Sequence, residues 1–214
     1  MKLYTKTGDF GTSSLYNGSR KHKSSGYFHV LGDIDELNSF IGVVKSLINE
    51  NKLNSLNEPN ILKDIQCTLM DISSFIATPP WDIKHPIVGD TEEHILKWKN
   101  RIGLSPDLIT EIEKRIDNFD NLLPTLTNFV VPGNNVLVSY IHVCRTISRR
   151  CERSFLELLS SELEYYGVYN SVDEQFKIVQ IYLNRLSDFF FVFSRFTAMY
   201  LHVEEDRYSR NKKV

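Results

Sequence analysis

Cysteine is rare in this chain and odd in number: Cys67, Cys144 and Cys151 among 214 residues, with no CxxC spacing. A disulfide framework and a thiolate metal cage are excluded on that count, and reduced thiols in a reducing compartment are expected. Long apolar runs are missing too. The longest, near residues 189–193, falls far short of a bilayer span, and no hydrophobic signal segment opens the chain. A soluble protein without membrane contact is expected. Net charge is only −2, which argues against a general nucleic-acid binder. What positive charge there is gathers early: residues 1–25 carry Lys2, Lys6, Arg20, Lys21 and Lys23 against Asp9 alone. No strand-like alternation of any length occurs, no internal repeat, and no GxxxxGK[ST] phosphate loop. The Glu-x-x-His pairs of a di-iron or di-manganese bundle are also absent. The residues three before the six histidines are Ser19, Gly26, Asp82, Thr91, Ser139 and Met199.

Helical periodicity takes up most of what remains. With 42% apolar residues the chain can bury one substantial core, and a single domain over residues 1–214 is expected. After a polar, glycine-containing segment of 27 residues, Val30, Ile34, Leu37, Ile41, Val44 and Ile48 recur at helical spacing. That helix fades into the polar tract 49–57. A second follows Pro59, with Ile61, Ile65, Leu69, Ile72 and Ile76 on one side, and Thr78-Pro79-Pro80 ends it. Residues 81–104 hold Pro86, Gly89 and Gly103 and no sustained period, so an irregular insertion is expected there. Ser105-Pro106 opens a third helix through Leu108, Ile112, Ile116 and Phe119, which stops before Pro124. The fourth begins after Pro132-Gly133. The capping box Ser171-x-x-Glu174 opens a fifth that is apolar nearly all round: Ile178, Ile181, Leu183, Leu186, Phe189, Phe190, Val192 and Phe193. Such a helix belongs at the centre of a bundle or in an interface. The expected fold class is all-α, a five-helix bundle.

The fourth helix carries the densest chemical signal. At about 100° per residue, Arg145, Arg149, Glu152 and Arg153 share a narrow sector beside the apolar stripe Leu137, Ile141, Cys144, Ile147, Cys151, Phe155 and Leu158. Guanidiniums so placed repel, and either carboxylates neutralise them or a polyanion such as a triphosphate does. A second candidate anion site opens the chain. Tyr4-Thr5-Lys6-Thr7-Gly8-Asp9-Phe10-Gly11-Thr12-Ser13-Ser14 combines glycines, hydroxyls and a lysine, and glycines let backbone N–H groups approach a phosphate. On the fifth helix Asn184, Asp188 and Arg195 fall on one side of an otherwise apolar surface. Each feature also has a purely structural reading. The arginines could pair with acids of a neighbouring subunit, residues 6–14 could be a tail, and Asp35 could be an ordinary helix-start acid. Asp188 could neutralise a helix-four arginine with Asn184 completing the network, His142 could simply pack, and Phe129 could be a hydrophobic staple.

Taken together and in order, the pieces resemble a known family, the ATP:cob(I)alamin adenosyltransferases of the trimeric five-helix-bundle type found in propanediol utilisation and in mitochondria. The motifs are Tyr4-Thr5-Lys6-Thr7-Gly8-Asp9-x-Gly11, Gly32-x-x-Asp35-Glu36-Leu37-Asn38-Ser39, Phe129-x-x-Pro132-Gly133, His142-x-x-Arg145-x-x-x-Arg149-Arg150-x-Glu152-Arg153 and Asn184-Arg185-Leu186-Ser187-Asp188. The resemblance implies a left-handed bundle of about ferritin-like size, assembled as a homotrimer, with an N-terminal loop (residues 1–27) that orders on binding ATP. It implies transfer of the 5′-deoxyadenosyl group of ATP to the cobalt of cob(I)alamin, giving adenosylcobalamin and triphosphate. By the same resemblance Thr5, Lys6, Gly8, Asp9, Gly11, Ser13 and Ser14 line the nucleotide, and Arg20 and Lys23 reach its phosphates. Arg149 and Arg153 grip the triphosphate from the next subunit, Glu152 holds the nucleotide or its Mg²⁺, and Asn184 contacts the adenosine end. Arg145 pairs with Asp35 across the subunit boundary, and Phe129 presses on the lower face of the corrin. Phe129, Arg149 and Asn184 are thus the candidate catalytic residues. Magnesium rides on the ATP phosphates, with potassium as a second candidate cation. A flavin-dependent reductase and an adenosylcobalamin-dependent client enzyme are the implied protein partners.

Departures from the family pattern are local. Phe10 stands where relatives usually have lysine, Ser13 replaces a common threonine, and Asn134 stands where a second glycine often follows Pro-Gly. Gln66-Cys67-Thr68-Leu69 and His142-x-Cys144-Arg145 resemble eukaryotic members, which suggests mitochondria; with no transit peptide visible, both the mitochondrial matrix and the cytoplasm stay open as compartments. A rival reading from another class is a non-catalytic cobalamin carrier that delivers the cofactor to a client, since ligand-binding residues alone do not prove turnover.

Overall fold

The computed structural model describes Tyr4 and residues 6–57, 60–79, 100–166 and 173–210. Thr5, Pro59, Ser171 and most of the expected insertion lie outside those residues. Five helices carry the fold: α1 (Gly26–Glu50), α2 (Ile61–Ile76), α3 (Asp107–Asp120), α4 (Val136–Tyr166) and α5 (Asp173–Tyr200). Each forms where the apolar spacing demands it. The α1 stripe Val30, Ile34, Leu37, Ile41, Val44 and Ile48 is buried to the last residue, as are all seven apolar positions on α4. Each such side chain contributes roughly 1.5–3 kcal/mol on leaving water.

Packing runs from α3 to α5, from α5 to α4, from α4 to α1 and from α1 to α2. The ring closes where Arg115 of α3 meets Asp64 of α2 at 2.8 Å. As its all-round apolar surface requires, α5 lies between two partners. Phe189, Phe190 and Phe193 are fully buried, and Phe119 of α3 stacks among Phe189, Phe193 and Phe196 with ring centroids 4.8–6.1 Å apart. Helix ends follow from local chemistry. The Ser105 hydroxyl accepts the Asp107 N–H at 3.2 Å, and the Asn135 side-chain oxygen accepts the N–H groups of Leu137 and Val138. Asn135 therefore caps α4, which removes Phe129 from the staple position next to that cap. After α5 the chain reverses through His202 at φ 54, with Val203 N–H bonded to the Ala198 carbonyl and His202 N–H to Met199, a Schellman closure.

Four short strands depart from the strand-free expectation: β1 (Thr12–Ser14) pairs antiparallel with β2 (Arg20–His22), and β3 (Val130–Val131) with β4 (Asp206–Arg207). The first hairpin has a sequence signal in Asn17-Gly18, where Gly18 takes φ 84. Leu15 within that turn is only 4% exposed, and the Tyr16 and Asn17 N–H groups donate to the Ala77 carbonyl. The hairpin is rooted on the end of α2. The second ribbon has strands of two residues, too short for any periodicity to show.

Candidate functional site

The arginine face of α4 is held from behind by the buried stripe, so its geometry is that of the helix itself. The three guanidiniums of this face and that of neighbouring Arg150 then divide. Arg150 is neutralised within the chain: Nε donates to Asp33 at 2.9 Å, Nη2 bonds Glu36, and the Ser154 hydroxyl donates to the other Asp33 oxygen at 2.6 Å. Among the described residues, Arg145, Arg149 and Arg153 form no ion pair. Arg153 donates to the Arg149 carbonyl, and Arg145 Nε to His142 Nδ1 at 3.4 Å. Partial burial lowers the Arg145 pKa, and the Arg149 charge adds to that. His142 is buried, and desolvation with the Arg145 charge pushes its imidazole down to about 4, so the ring is neutral and can accept. The packing role expected of His142 holds. Behind the face, burial pushes the Cys144 and Cys151 thiols up to about 12, which leaves them inert.

A polar chain crosses from α4 to α3 beside these arginines. Asn184 Nδ2 donates to Glu152 at 3.0 Å, Arg185 Nη1 donates to the Asn184 side-chain oxygen at 2.8 Å, and Arg185 Nε donates to Glu113 at 2.8 Å. Both ends of the Asn184 amide are thereby fixed. Partial burial raises the Asp188 pKa, Arg185 and Arg149 pull it back, and Glu152 adds to the rise. Asp188 thus shares the field of Arg149 without pairing to it. Arg195, expected on the same side, is elsewhere: it meets Glu205 and the Pro124 carbonyl. Its offset from Asn184 puts the two on one helix side but about 16 Å apart along the axis.

The N-terminal segment forms overlapping turns. Lys6 has φ 61 and Gly11 φ 77, with Asp9 N–H on Lys6 and Gly11 N–H on Gly8. At Gly8 a Cβ would stand 3.2 Å from the Lys23 ammonium, so a side chain there would displace the cation. Arg20, expected on phosphates, is drawn into the loop, where it donates to the Thr7 and Thr12 carbonyls and to the Thr12 and Ser14 hydroxyls. Ser13 is half-buried in β1 and Asp9 exposed. Phe10 is 91% exposed. Among the described residues, no hydrogen bond or ion pair joins this segment to Arg145, Arg149 or Arg153 of the same chain. Asp35 is exposed and likewise without an ion pair among them.

Phe129 sits on the connection between α3 and α4 and is 81% exposed. Asn134, the residue that departs from the glycine pattern, takes φ 66 and donates to the Glu204 carbonyl at 2.9 Å. Asparagine tolerates that left-handed conformation, which explains why it can replace glycine there. Sequence reasoning missed three features: the Arg150 clasp, the Arg185–Glu113 link and the strand after α5. The clasp had a signal in Asp33 and Glu36, three apart on α1, opposite Arg150 and Ser154, four apart on α4.

Among the described residues no group of three or more His, Cys, Asp or Glu side chains could hold a metal ion.

The cobalamin adenosyltransferase family matches residues 3–197. Human corrinoid adenosyltransferase MMAB is 35% identical over 210 residues, covering 98% of this chain and 74% of the human one. The corrinoid adenosyltransferase of Bacillus subtilis is 33% identical over 214 residues, covering 100% and 95%. Among solved structures, a phenylalanine-to-histidine variant of the PduO-type ATP:corrinoid adenosyltransferase of Lactobacillus reuteri, complexed with cobalamin and ATP, superposes with a TM-score of 0.74 at 30% identity and 100% coverage of both chains. An arginine-to-lysine variant of that enzyme, complexed with ATP, superposes equally well, with a TM-score of 0.74 at 29% identity over 97% of this chain and 100% of that one. Similarity of this extent, over a family match that spans most of the chain, places it in the cobalamin adenosyltransferase family.

Proposed function

We infer that this protein transfers the 5′-deoxyadenosyl group of ATP to the cobalt of cob(I)alamin. One observation carries the reading beyond the family: Arg145, Arg149 and Arg153 line one helix face without a carboxylate partner in the described chain, while Arg150 beside them has two. Three uncompensated guanidiniums on a rigid face suit a triphosphate. Cobalt(I) is itself the nucleophile and attacks C5′; the C5′–oxygen bond breaks, triphosphate leaves with the electron pair, and cobalt becomes formally cobalt(III). No protein base is required. The protein aligns C5′ with the metal and stabilises charge on the departing oxygens, the task of Arg149 and Arg153. Asn184, locked by Arg185, orients Glu152 and contacts the adenosine end. Magnesium bound on the phosphates, beside Glu152, would neutralise part of the leaving-group charge.

Among the described residues, no hydrogen bond or ion pair joins the N-terminal segment to the arginines of its own chain, which supports a site completed between subunits of a homotrimer. There Thr5, Lys6, Gly8, Asp9, Gly11, Ser13, Ser14 and Lys23 of one subunit wrap the nucleotide held by the next. Arg20 serves by shaping that loop. Arg145 and Asp35, neither ion-paired within the described chain, are free to meet across the boundary. Phe129 presents an exposed ring to the lower face of the corrin. Displacing the lower axial ligand leaves four-coordinate cobalt(II), which a one-electron donor such as a reduced flavin converts to cobalt(I) more readily. A reductase and an adenosylcobalamin-dependent client are the protein partners proposed, in the mitochondrial matrix or the cytoplasm.

Incubation with ATP, Mg²⁺ and chemically reduced cobalamin tests this directly. Appearance of the cobalt–carbon bond in the absorption spectrum is the expected result. Binding without conversion would establish the carrier reading instead. Sedimentation at three times the chain mass checks the shared site, and a monomer would remove it. Phe129→Ala should bind ATP normally and lose most turnover from cob(II)alamin.

A further inference from the structure

We propose that Arg195 is a positioning residue for Phe129, acting through Glu205 and the strand that follows α5. The inference rests on the role of Phe129 proposed above and adds what holds the ring in place. With 81% of its surface exposed, Phe129 is not located by its own packing, so its backbone must be. Residues 121–135 form a long connection, and among the described residues its tertiary backbone attachments around Phe129 go to α5 and the chain that follows it. Arg195 Nη2 donates to the Pro124 carbonyl at 3.0 Å, Tyr208 N–H to the Phe129 carbonyl at 2.8 Å, and Asn134 Nδ2 to the Glu204 carbonyl at 2.9 Å. Val130 and Val131 pair with Arg207 and Asp206. The tail that supplies these partners is in turn held by Arg195, whose Nε donates to both Glu205 carboxylate oxygens at 3.3 and 3.4 Å.

Among the described residues, only Arg195 touches both sides of this junction by side-chain hydrogen bonds. It is 5% exposed, and among the described residues no other Lys, Arg, Asp or Glu is buried. Placing a guanidinium in so apolar a helix is costly unless its donors are matched, and apolar residues of similar volume stabilise a core at least as well. The two groups that match it are a carboxylate on the tail and a carbonyl on the Phe129 connection. The pair therefore fixes geometry: it sets where the tail leaves α5, and the tail sets the height of the phenylalanine backbone.

Three variants test this. Tyr208→Pro deletes the one N–H that holds the Phe129 carbonyl, at an exposed position whose preceding residue is already extended in β4. Arg195→Met with Glu205→Gln removes the buried pair without leaving a lone charge. Phe129→Ala is the reference. Each is compared with the parent for ATP affinity, for the ratio of turnover from cob(II)alamin plus reduced flavin to turnover from pre-reduced cob(I)alamin, and for the spectroscopic signature of four-coordinate cob(II)alamin. For the first two, ATP affinity stays at the parental value, the four-coordinate signature is lost, and the turnover ratio falls by about 10–100-fold, as expected when a positioned group moves by about 1 Å. If the double variant does not fold, Tyr208→Pro decides. Parental signature and ratio in Tyr208→Pro, or in a folded double variant, with both lost in Phe129→Ala, overturn the role of Arg195. Parental values in Phe129→Ala overturn the role of Phe129 itself, and this inference with it.

Discussion

The arginine face of α4 and the Phe129 connection reach their geometry by opposite routes. On α4 the position of each guanidinium is inherited from a helix whose far side is fully buried, so three- and four-residue spacing is enough. Phe129 owes its place to backbone bonds from residues 204–208, some 75 positions later in the chain. One region is local and tolerant of side-chain change; the other is non-local and depends on carbonyls and N–H groups. On the proposed function, substrate grip would belong to the first and cobalt geometry to the second, so the two should fail in different ways.

The largest effect expected is Arg149→Ala, which removes charge-assisted hydrogen bonds and should lower kcat/KM for ATP by about 10–100-fold. The four-coordinate cobalt signature should survive it, and loss of that signature would show that the two regions are not separable. Beneath the arginine face, His142 is held neutral with its pKa lowered from 6.5 to about 4. Between those values the unfolded chain binds the proton and the folded chain does not, so stability falls as pH drops from 6.5 towards 4 and is regained above 6.5. A loss of about 3 kcal/mol is expected, and thermal melts of His142→Gln across that range should be flatter than those of the parent. Arg150→Ala removes the α1–α4 clasp. With the groups partly exposed, the cost should be about 1–2 kcal/mol, seen as a melting temperature lower by roughly 3–8 °C.

Smaller changes sharpen the border between the regions. Asn135 ends the Phe129 connection and caps α4, so Asn135→Ala should cost about 1 kcal/mol in a denaturant titration. A larger loss in cobalt reduction than in stability would assign the cap to the connection. Smallest is His202→Gly at the left-handed turn after α5, which should be neutral or stabilising by a few tenths of a kcal/mol, read from the same titration.

Legibility in the sequence follows the same division. The five helices, their buried stripes and the Arg145–Arg149–Arg153 sector were all readable because a helix converts spacing directly into a face. Glu152 was placed on that face, and its bond to Asn184 joins two helices at positions the periods had already aligned. Arg150 was in plain view, but which acid it meets depends on how α1 docks. Arg195 was grouped with Asn184 by angle alone, because an angle says nothing about height along the helix. The ribbon of β3 and β4 leaves no side-chain pattern at all, since its information lies in which N–H groups the helices leave unsatisfied. Asn17-Gly18 did announce the first hairpin, and only the shortness of its strands hid it.

The burial of Leu15 has a thermodynamic consequence for the segment that precedes it. Ordering a residue costs about 1–2 kcal/mol of backbone entropy, and a segment that must wrap a nucleotide bears that cost at the moment of association. By sinking one leucine and donating two amides to the end of α2, the hairpin transfers part of the cost to folding, where the core offsets it. On the proposed function, only the span ahead of Leu15 would remain to be adjusted when ATP binds. Trimming that single side chain to alanine should therefore weaken nucleotide affinity without touching any group that meets the nucleotide.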